Sequence, residues 1–251
     1  IKIPFLIAGV IPNYVREDKI ALLVDAGMNR VRMGIQSGSD NILQFYKRPT
    51  KLHRIKEATE ILNKFDKYMI PPSYDIILEN PVEKIEDTRA TVDMIYEMPR
   101  PYTLNVYALR VIPNTIMAKQ IEERGLKVPP IDKNYYVDYH RTIGNILVFA
   151  LCFWKIPRWL FKILRKKVYP VHEKQSSYPI LFWLTRMIYL VKRAFNHLRF
   201  MDFSLLPGKP GYFLWKLGII NFWQRFIVKQ YHLPKQEYKN LSEVSENLKN
   251  I

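Results

Sequence analysis

From Arg30 to Ile35 apolar and polar positions alternate, with Val31, Met33 and Ile35 set against Arg32 and Gly34. A period of two predicts a half-buried strand. The stretch ends in Gln36-Ser37-Gly38-Ser39-Asp40, a polar turn rich in residues that cap helix N-termini. The same plan recurs on either side. Ile3–Val10 reads as a buried strand, followed by a helix over Arg16–Ala26 that carries Ile20, Leu22, Leu23 and Ala26 at helical spacing and stops at Gly27. A helical region over Ser39–Phe65 is broken at Pro49, and its second part places Ile55, Ala58, Thr59, Leu62 and Phe65 on one face. Tyr74–Leu78 is a short apolar strand, ended by Glu79-Asn80-Pro81 because proline cannot continue a central strand. Ile85–Met98 reads as a helix with Glu86 and Asp87 favourably placed in its first turn. Leu104–Ile112 reads as a strand closed by Pro113-Asn114-Thr115, and Thr115–Arg124 as a helix ended by Gly125.

Strands alternating with helices through short connections predict right-handed crossovers and a parallel sheet. Four strands are too few to close a barrel, which takes about eight, or six in partial barrels. The expected fold is therefore α/β, a partial parallel β/α (TIM-like) barrel. An uncovered apolar first strand and an opening residue, Ile1, other than Met suggest the later part of a larger barrel.

Beyond Pro130 the pattern changes. Asn145–Trp154, Trp159–Val168, Tyr178–Arg199 and Tyr212–Gln230 read as aromatic-rich helices punctuated by prolines. Charge changes at the same place. Residues 1–130 hold 19 Lys/Arg and 16 Asp/Glu, whereas residues 131–251 hold 20 and 7, so the net charge of +16 belongs mainly to the second half. The expected division is a barrel segment over 1–128, a basic aromatic helical extension over 129–233 and a polar tail over 234–251. No run of 18 apolar residues predicts a membrane span, and no stretch reads as a signal peptide. The single cysteine, Cys152, lies in an apolar run and reads as a buried thiol; it excludes an internal disulfide and any Cys-based zinc or iron–sulfur site built by this chain alone.

Candidate chemistry concentrates at the predicted strand ends: Gln36-Ser37, Asp75, Asn80-Pro81 and Pro113-Asn114-Thr115. Each alone is an ordinary turn, but β/α barrels build their sites where the carboxyl ends of the strands converge. Arg48 offers a fork of donors suited to a carboxylate. Asp75, inside an apolar strand, needs a partner: an amine, a hydroxyl or a loop to cap. Walker, G-x-G-x-x-G, G-x-S-x-G and H-E-x-x-H patterns are absent, and the five scattered histidines suggest no metal site.

The run Ala26–Ser39, followed by Tyr46-Lys47-Arg48, resembles the middle of the radical S-adenosylmethionine (SAM) barrel. Tyr74–Glu83 looks like that barrel's fifth strand, and Leu104–Thr115 is similar to its sixth, with Pro113-Asn114-Thr115 where the family usually has Pro-Gly-Thr. The Asn80-Pro81 turn and the basic helical tail resemble the cobalamin-binding subgroup. The resemblance implies SAM and a [4Fe-4S] cluster as cofactors, and cobalamin in the subgroup. It implies that Gln36, with Ser37 beside it, contacts SAM near its ribose or amino acid, that Arg48 pairs with the methionyl carboxylate and that Asp75 accepts from the ribose hydroxyls. Backbone around Leu109 and Val111 would lie along the adenine. The cluster-binding Cys-x-x-x-Cys-x-x-Cys loop and the cobalamin domain would lie upstream of Ile1, so those missing parts are the expected partners and this chain alone is expected to be inactive. The acidic residue often found at the third strand's end is also missing; Ile7-Ala8-Gly9 stands there.

The expected reaction is radical hydrogen abstraction or methyl transfer on a small-molecule or lipid-like substrate. Composition fits a cytoplasmic protein, and the basic aromatic extension suggests peripheral membrane contact. The alternative from another class is a non-catalytic basic module for a membrane surface or nucleic acid, although no nucleic-acid motif is recognisable. An aldolase or amidohydrolase barrel is disfavoured, because no lysine stands in an apolar strand and no histidines form a metal pattern.

Overall fold

The computed structural model describes residues 4–48, 50–126, 140–173 and 175–202, together with 213, 214, 216–219 and 222. The expected boundary at 129 and the polar tail lie outside the described residues, as does most of the expected helix over Tyr212–Gln230.

The first part alternates strand and helix: β1 (Phe5–Val10), α1 (Glu17–Ala26), β2 (Met28–Gln36), α2 (Asp40–Phe45), α3 (Leu52–Asn63), β3 (Ser73–Glu79), α4 (Ile85–Glu97), β4 (Thr103–Ala108) and α5 (Ile116–Glu123). The strands form one parallel sheet in the order β1-β2-β3-β4. Local chemistry sets the joints. Gly27 ends α1 at φ 118°, a left-handed conformation that costs other residues more, and donates its N–H to Leu23 and Val24. Ser39 and Thr115 cap α2 and α5 by accepting the N–H of Ile42 and Ala118.

The sheet has two unlike faces. Val31, Met33, Ile35, Tyr74, Ile76, Leu78, Leu104 and Val106 are buried, in one core with Val24, Ile55, Leu62, Val92 and Ile95 of the helices. The alternate positions, Arg32, Gly34, Asp75, Ile77, Asn105 and Tyr107, are half-buried or exposed on the opposite face.

The expected sixth strand is shorter than its apolar run. β4 stops at Ala108, so Leu109–Ile112 lie in the following loop. Leu109 and Val111 instead pack in a small cluster with Phe45, Val82, Ala118 and Ile121. The helical region expected over 39–65 is broken as expected, into α2 and α3.

The later helices are α6 (Ile143–Leu151), α7 (Arg158–Arg165) and α8 (Pro179–Arg199). α6 is buried along almost all of its length, and its Phe149 meets Phe182 and Tyr189 of α8. Burying each such aromatic contributes about 1.5–3 kcal/mol. The core therefore runs on from the sheet into these helices. Polar ties reinforce the join. Arg89 of α4 donates to the carbonyls of Lys166 (2.7 Å) and Val168 (3.2 Å), and Asp93 pairs with Arg165 at 2.5 Å. On the free edge of β4, the Leu104 carbonyl accepts the Tyr189 hydroxyl at 2.7 Å, and the Leu104 N–H meets the Cys152 sulfur. Beyond the end of α8, Asp202 pairs with Arg30 of β2 at 2.9 Å and with His197 at 2.8 Å.

Candidate functional site

The carboxyl end of β2 is built to hold one side chain in an unusual pose. The pairing of β2 with β3 shifts between Gly34 and Gln36, and Gln36 takes φ 75°. A left-handed conformation costs a non-glycine residue about 1 kcal/mol, and such residues cluster at functional sites. The Gln36 amide turns back over Gly34: a Cβ there would lie 2.9 Å from Gln36 Nε2. Gly34 in turn pairs with Asp75 across the sheet. Gln36 and Asp75 therefore share the open face.

The turn after Gln36 is anchored to α4. The Ser37 hydroxyl meets Thr91 Oγ1 at 3.0 Å and accepts the Ser39 N–H at 3.1 Å, and the Gly38 N–H donates to Thr91 Oγ1 at 2.9 Å. Ser39 donates to Asp87 at 2.5 Å, while Asp87 also accepts the Lys84 N–H at the start of α4. Gly38 touches the backbone of α4, where a Cβ would lie 2.7 Å from the Ala90 carbonyl oxygen. Ser37 is fully buried. Its hydroxyl shapes the turn, and the structure does not bring it to the open face.

Asp75 corrects one expectation. It is the third residue of β3, below the rim and not at the strand's end. Both its oxygens accept from Arg32 Nε at 2.9 Å, and Oδ1 also accepts from Asn105 Nδ2 at 2.9 Å. Arg32 extends the chain of contacts by donating to the Tyr107 hydroxyl at 2.6 Å. The Asp75 hydrogen bond raises the pKa of the Arg32 guanidinium. Sequence reasoning missed Arg32, Asn105 and Tyr107. Strand alternation places Arg32 on the polar face, but only the register sets it beside Asp75.

At the rim Asn80 is buried and structural. It donates to the Tyr46 hydroxyl at 2.8 Å and accepts the Val82 N–H at 2.9 Å. Burial pushes the Tyr46 phenol up, with the nearby Glu83 adding to the effect. Arg48 follows two residues later and is half-buried; its N–H bonds the Leu43 carbonyl at 2.8 Å. Its guanidinium has no hydrogen bond or ion pair among the described residues. Leu109 is fixed next to the end of β3 through its N–H, which donates to the Glu79 carbonyl at 2.8 Å, and Val111 is buried. Gln36, Arg48, Leu109 and Val111 thus lie on segments that leave the carboxyl ends of the strands.

Glu79 was also missed as a structural hub. Its carboxylate accepts from the His140 N–H (2.8 Å) and from Asn145 (2.7 Å), and meets His140 Nδ1 at 3.0 Å, joining β3 to the start of α6. Among the described residues, no three His, Cys, Asp or Glu side chains are grouped to hold a metal. Cys152 is a poor candidate ligand. It lies beside the second residue of β4, far along the strand from the rim, and burial pushes its thiol up to about 12.

The described residues thus combine a parallel β/α sheet, a strained polar strand end and an open polar face. The radical SAM superfamily model matches residues 1–95. No curated protein matches the chain. Among solved structures it is similar to Elp3 of the archaeon Methanocaldococcus infernus, at 20% identity over 74% of this chain and 41% of that one, with a TM-score of 0.41. It is also similar to the radical SAM methyltransferase TsrM of Kitasatospora setae, solved with cobalamin and a [4Fe-4S] cluster bound, at 20% identity over 51% of this chain and 25% of that one, TM-score 0.41. A third is the cobalamin-dependent SAM radical enzyme OxsB, at 14% identity over 99% of this chain and 44% of that one, TM-score 0.43. The chain spans less than half the length of each of these proteins.

Proposed function

We propose that this chain forms the later wall of a radical SAM barrel and about half of its SAM site. The observation that carries the assignment is the carboxyl end of β2, where Gln36 at φ 75° shares the open face with Asp75, with Arg48 half-buried on the segment that follows α2. A guanidinium offers two parallel donors, and the methionyl carboxylate matches them. Gln36, held by its strained backbone, offers an amide to the ribose or the amino acid part of SAM. Asp75, braced by Arg32 and Asn105, keeps lone pairs for ribose hydroxyls. The backbone of 109–111 provides an edge for adenine. Ser37 acts through the turn it stabilises.

The cluster does not fit this chain's residues, which include one thiol in all. Its three cysteine ligands, the earlier strands and any cobalamin domain belong to other residues of a longer protein, and these 251 residues alone are inactive. SAM and a cluster held elsewhere would supply radical chemistry, and cobalamin would add a route for methyl transfer. This chain's residues bind and orient SAM.

The test is Arg48→Ala in the cluster-loaded whole protein. Loss of a charge-assisted, two-pronged contact should weaken SAM binding by about 1.5–3 kcal/mol, roughly 10- to 150-fold. An unchanged dissociation constant would remove Arg48 from the site.

A further inference from the structure

We infer that α8 docks its outer face on an anionic lipid bilayer, lying flat in the headgroup layer. The observation is the division of this helix. Phe182, Thr185 and Tyr189 face inward and are buried. At 100° per residue, Ile180, Trp183, Leu184, Met187, Val191 and Phe195 fall on the opposite side. All six are exposed, from 51% at Val191 to 78% at Ile180. A continuous apolar half of a 21-residue helix is far more than the scattered apolar residues of an ordinary surface. Exposed apolar residues continue further on at Phe213 and Phe222.

Charge identifies what covers this face. Between residues 174 and 201 there are five Lys/Arg and no Asp or Glu. Lys192 and Arg199, both exposed, border the apolar face on one side, while Arg186 and Arg193 lie on the inner flank, Arg186 over the Phe149 ring and Arg193 donating to Asn105 and Tyr189. An apolar stripe carrying a tryptophan and bordered by exposed basic residues, in a segment with no acidic ones, matches the headgroup layer of an anionic membrane, where long basic side chains reach phosphate while their stems stay apolar. A second copy of the chain, itself at +16, would bring basic margin against basic margin. Among the described residues no helix is long and apolar enough to cross a membrane, so the contact is interfacial. The inference stands independently of the SAM assignment.

Sedimentation of the 251-residue chain with vesicles tests it. Vesicles of equimolar phosphatidylcholine and phosphatidylglycerol should carry the chain down; phosphatidylcholine alone should not. Binding should fall at least about tenfold as salt rises from roughly 0.05 to 0.5 M, because the screening length shrinks severalfold. Leu184→Glu with Val191→Glu, both at exposed positions, should keep the circular dichroism spectrum and lose binding. As a second readout, Met187→Cys labelled with an environment-sensitive fluorophore should shift to the blue with the anionic vesicles only. The buried Cys152 will not compete for the label. Negligible or equal binding to both vesicle types, or no fluorescence shift, overturns the inference. So does a dimer in sedimentation velocity that the double substitution dissociates, since the face would then be covered by a second copy.

Discussion

At the residue scale, two glycines four positions apart make opposite predictions. At Gly34 the atom in the way of a Cβ is Gln36 Nε2, the tip of a flexible side chain; at Gly38 it is the backbone of α4. Gly34→Ala should therefore keep its melting temperature nearly unchanged but push the Gln36 amide aside and weaken SAM binding in the whole protein. Gly38→Ala forces apart the β2–α2 turn and α4, and should cost about 1–3 kcal/mol in chemical denaturation. Equal stability of the two variants would mean that the turn is not held against α4. Glu83 makes a pH-dependent prediction. Burial, with Asp87 nearby, pushes its carboxyl up to about 8, while Thr88 donates to it at 2.9 Å. The folded state thus binds the proton more tightly than the unfolded one. The contribution to stability is complete below the ordinary carboxyl value and is lost as pH rises through about 8. Glu83→Gln, which stays neutral, should be more stable than the parent at pH 9 by on the order of 1–3 kcal/mol, with the difference fading towards pH 5. Melting curves across that range would check it; a difference that grows on acidification would reverse the assignment.

At the scale of elements, the alternation in β2 was legible because each buried residue faces the same helix layer. The proline-bounded ends were legible for a steric reason, since β3 stops at Glu79 before Pro81. The length of β4 was not. Leu109 and Val111 are apolar and continue the strand-like run, yet they leave the sheet for a separate cluster with Phe45 and α5. Local pattern cannot distinguish these two destinations, because both bury the same side chains. Three of the late helices, α6, α7 and α8, were found to within two or three residues, but their partners were not, since only three-dimensional packing sets Tyr189 against the edge of β4. That contact gives a prediction. Tyr189→Phe leaves the Leu104 carbonyl without its 2.7 Å hydrogen bond on an otherwise free edge. The loss should be about 1–2 kcal/mol. Amide exchange should quicken first in α8 and α6, ahead of β2 and β3; uniform quickening across all elements would mean the edge contact is not a local brace.

At the scale of the molecule, the open face of the sheet is held in shape by ion pairs rather than by apolar packing. Arg32–Asp75 lies near its middle, and Arg30–Asp202 ties it to the end of α8. The sequence shows the charged residues on one face, but Arg30 and Asp202 are 172 positions apart and nothing local joins them. The two pairs differ in exposure. The Arg32 side chain is 42% exposed, so screening by water limits what its pair contributes. Asp202 is only 9% exposed and serves both Arg30 and His197. Removing a nearly buried carboxylate strands its partners, which is costly in a way that deleting a surface pair is not. Asp202→Ala should therefore destabilise the chain by on the order of 3 kcal/mol, while Asp75→Asn, which keeps hydrogen-bonding groups beside Arg32, should cost roughly 1 kcal/mol or less. In Asp202→Ala the last turn of α8 should lose protection from amide exchange before the sheet does, because its tether to β2 is gone. If both substitutions cost the same, the anchoring of α8 to the sheet does not depend on this carboxylate.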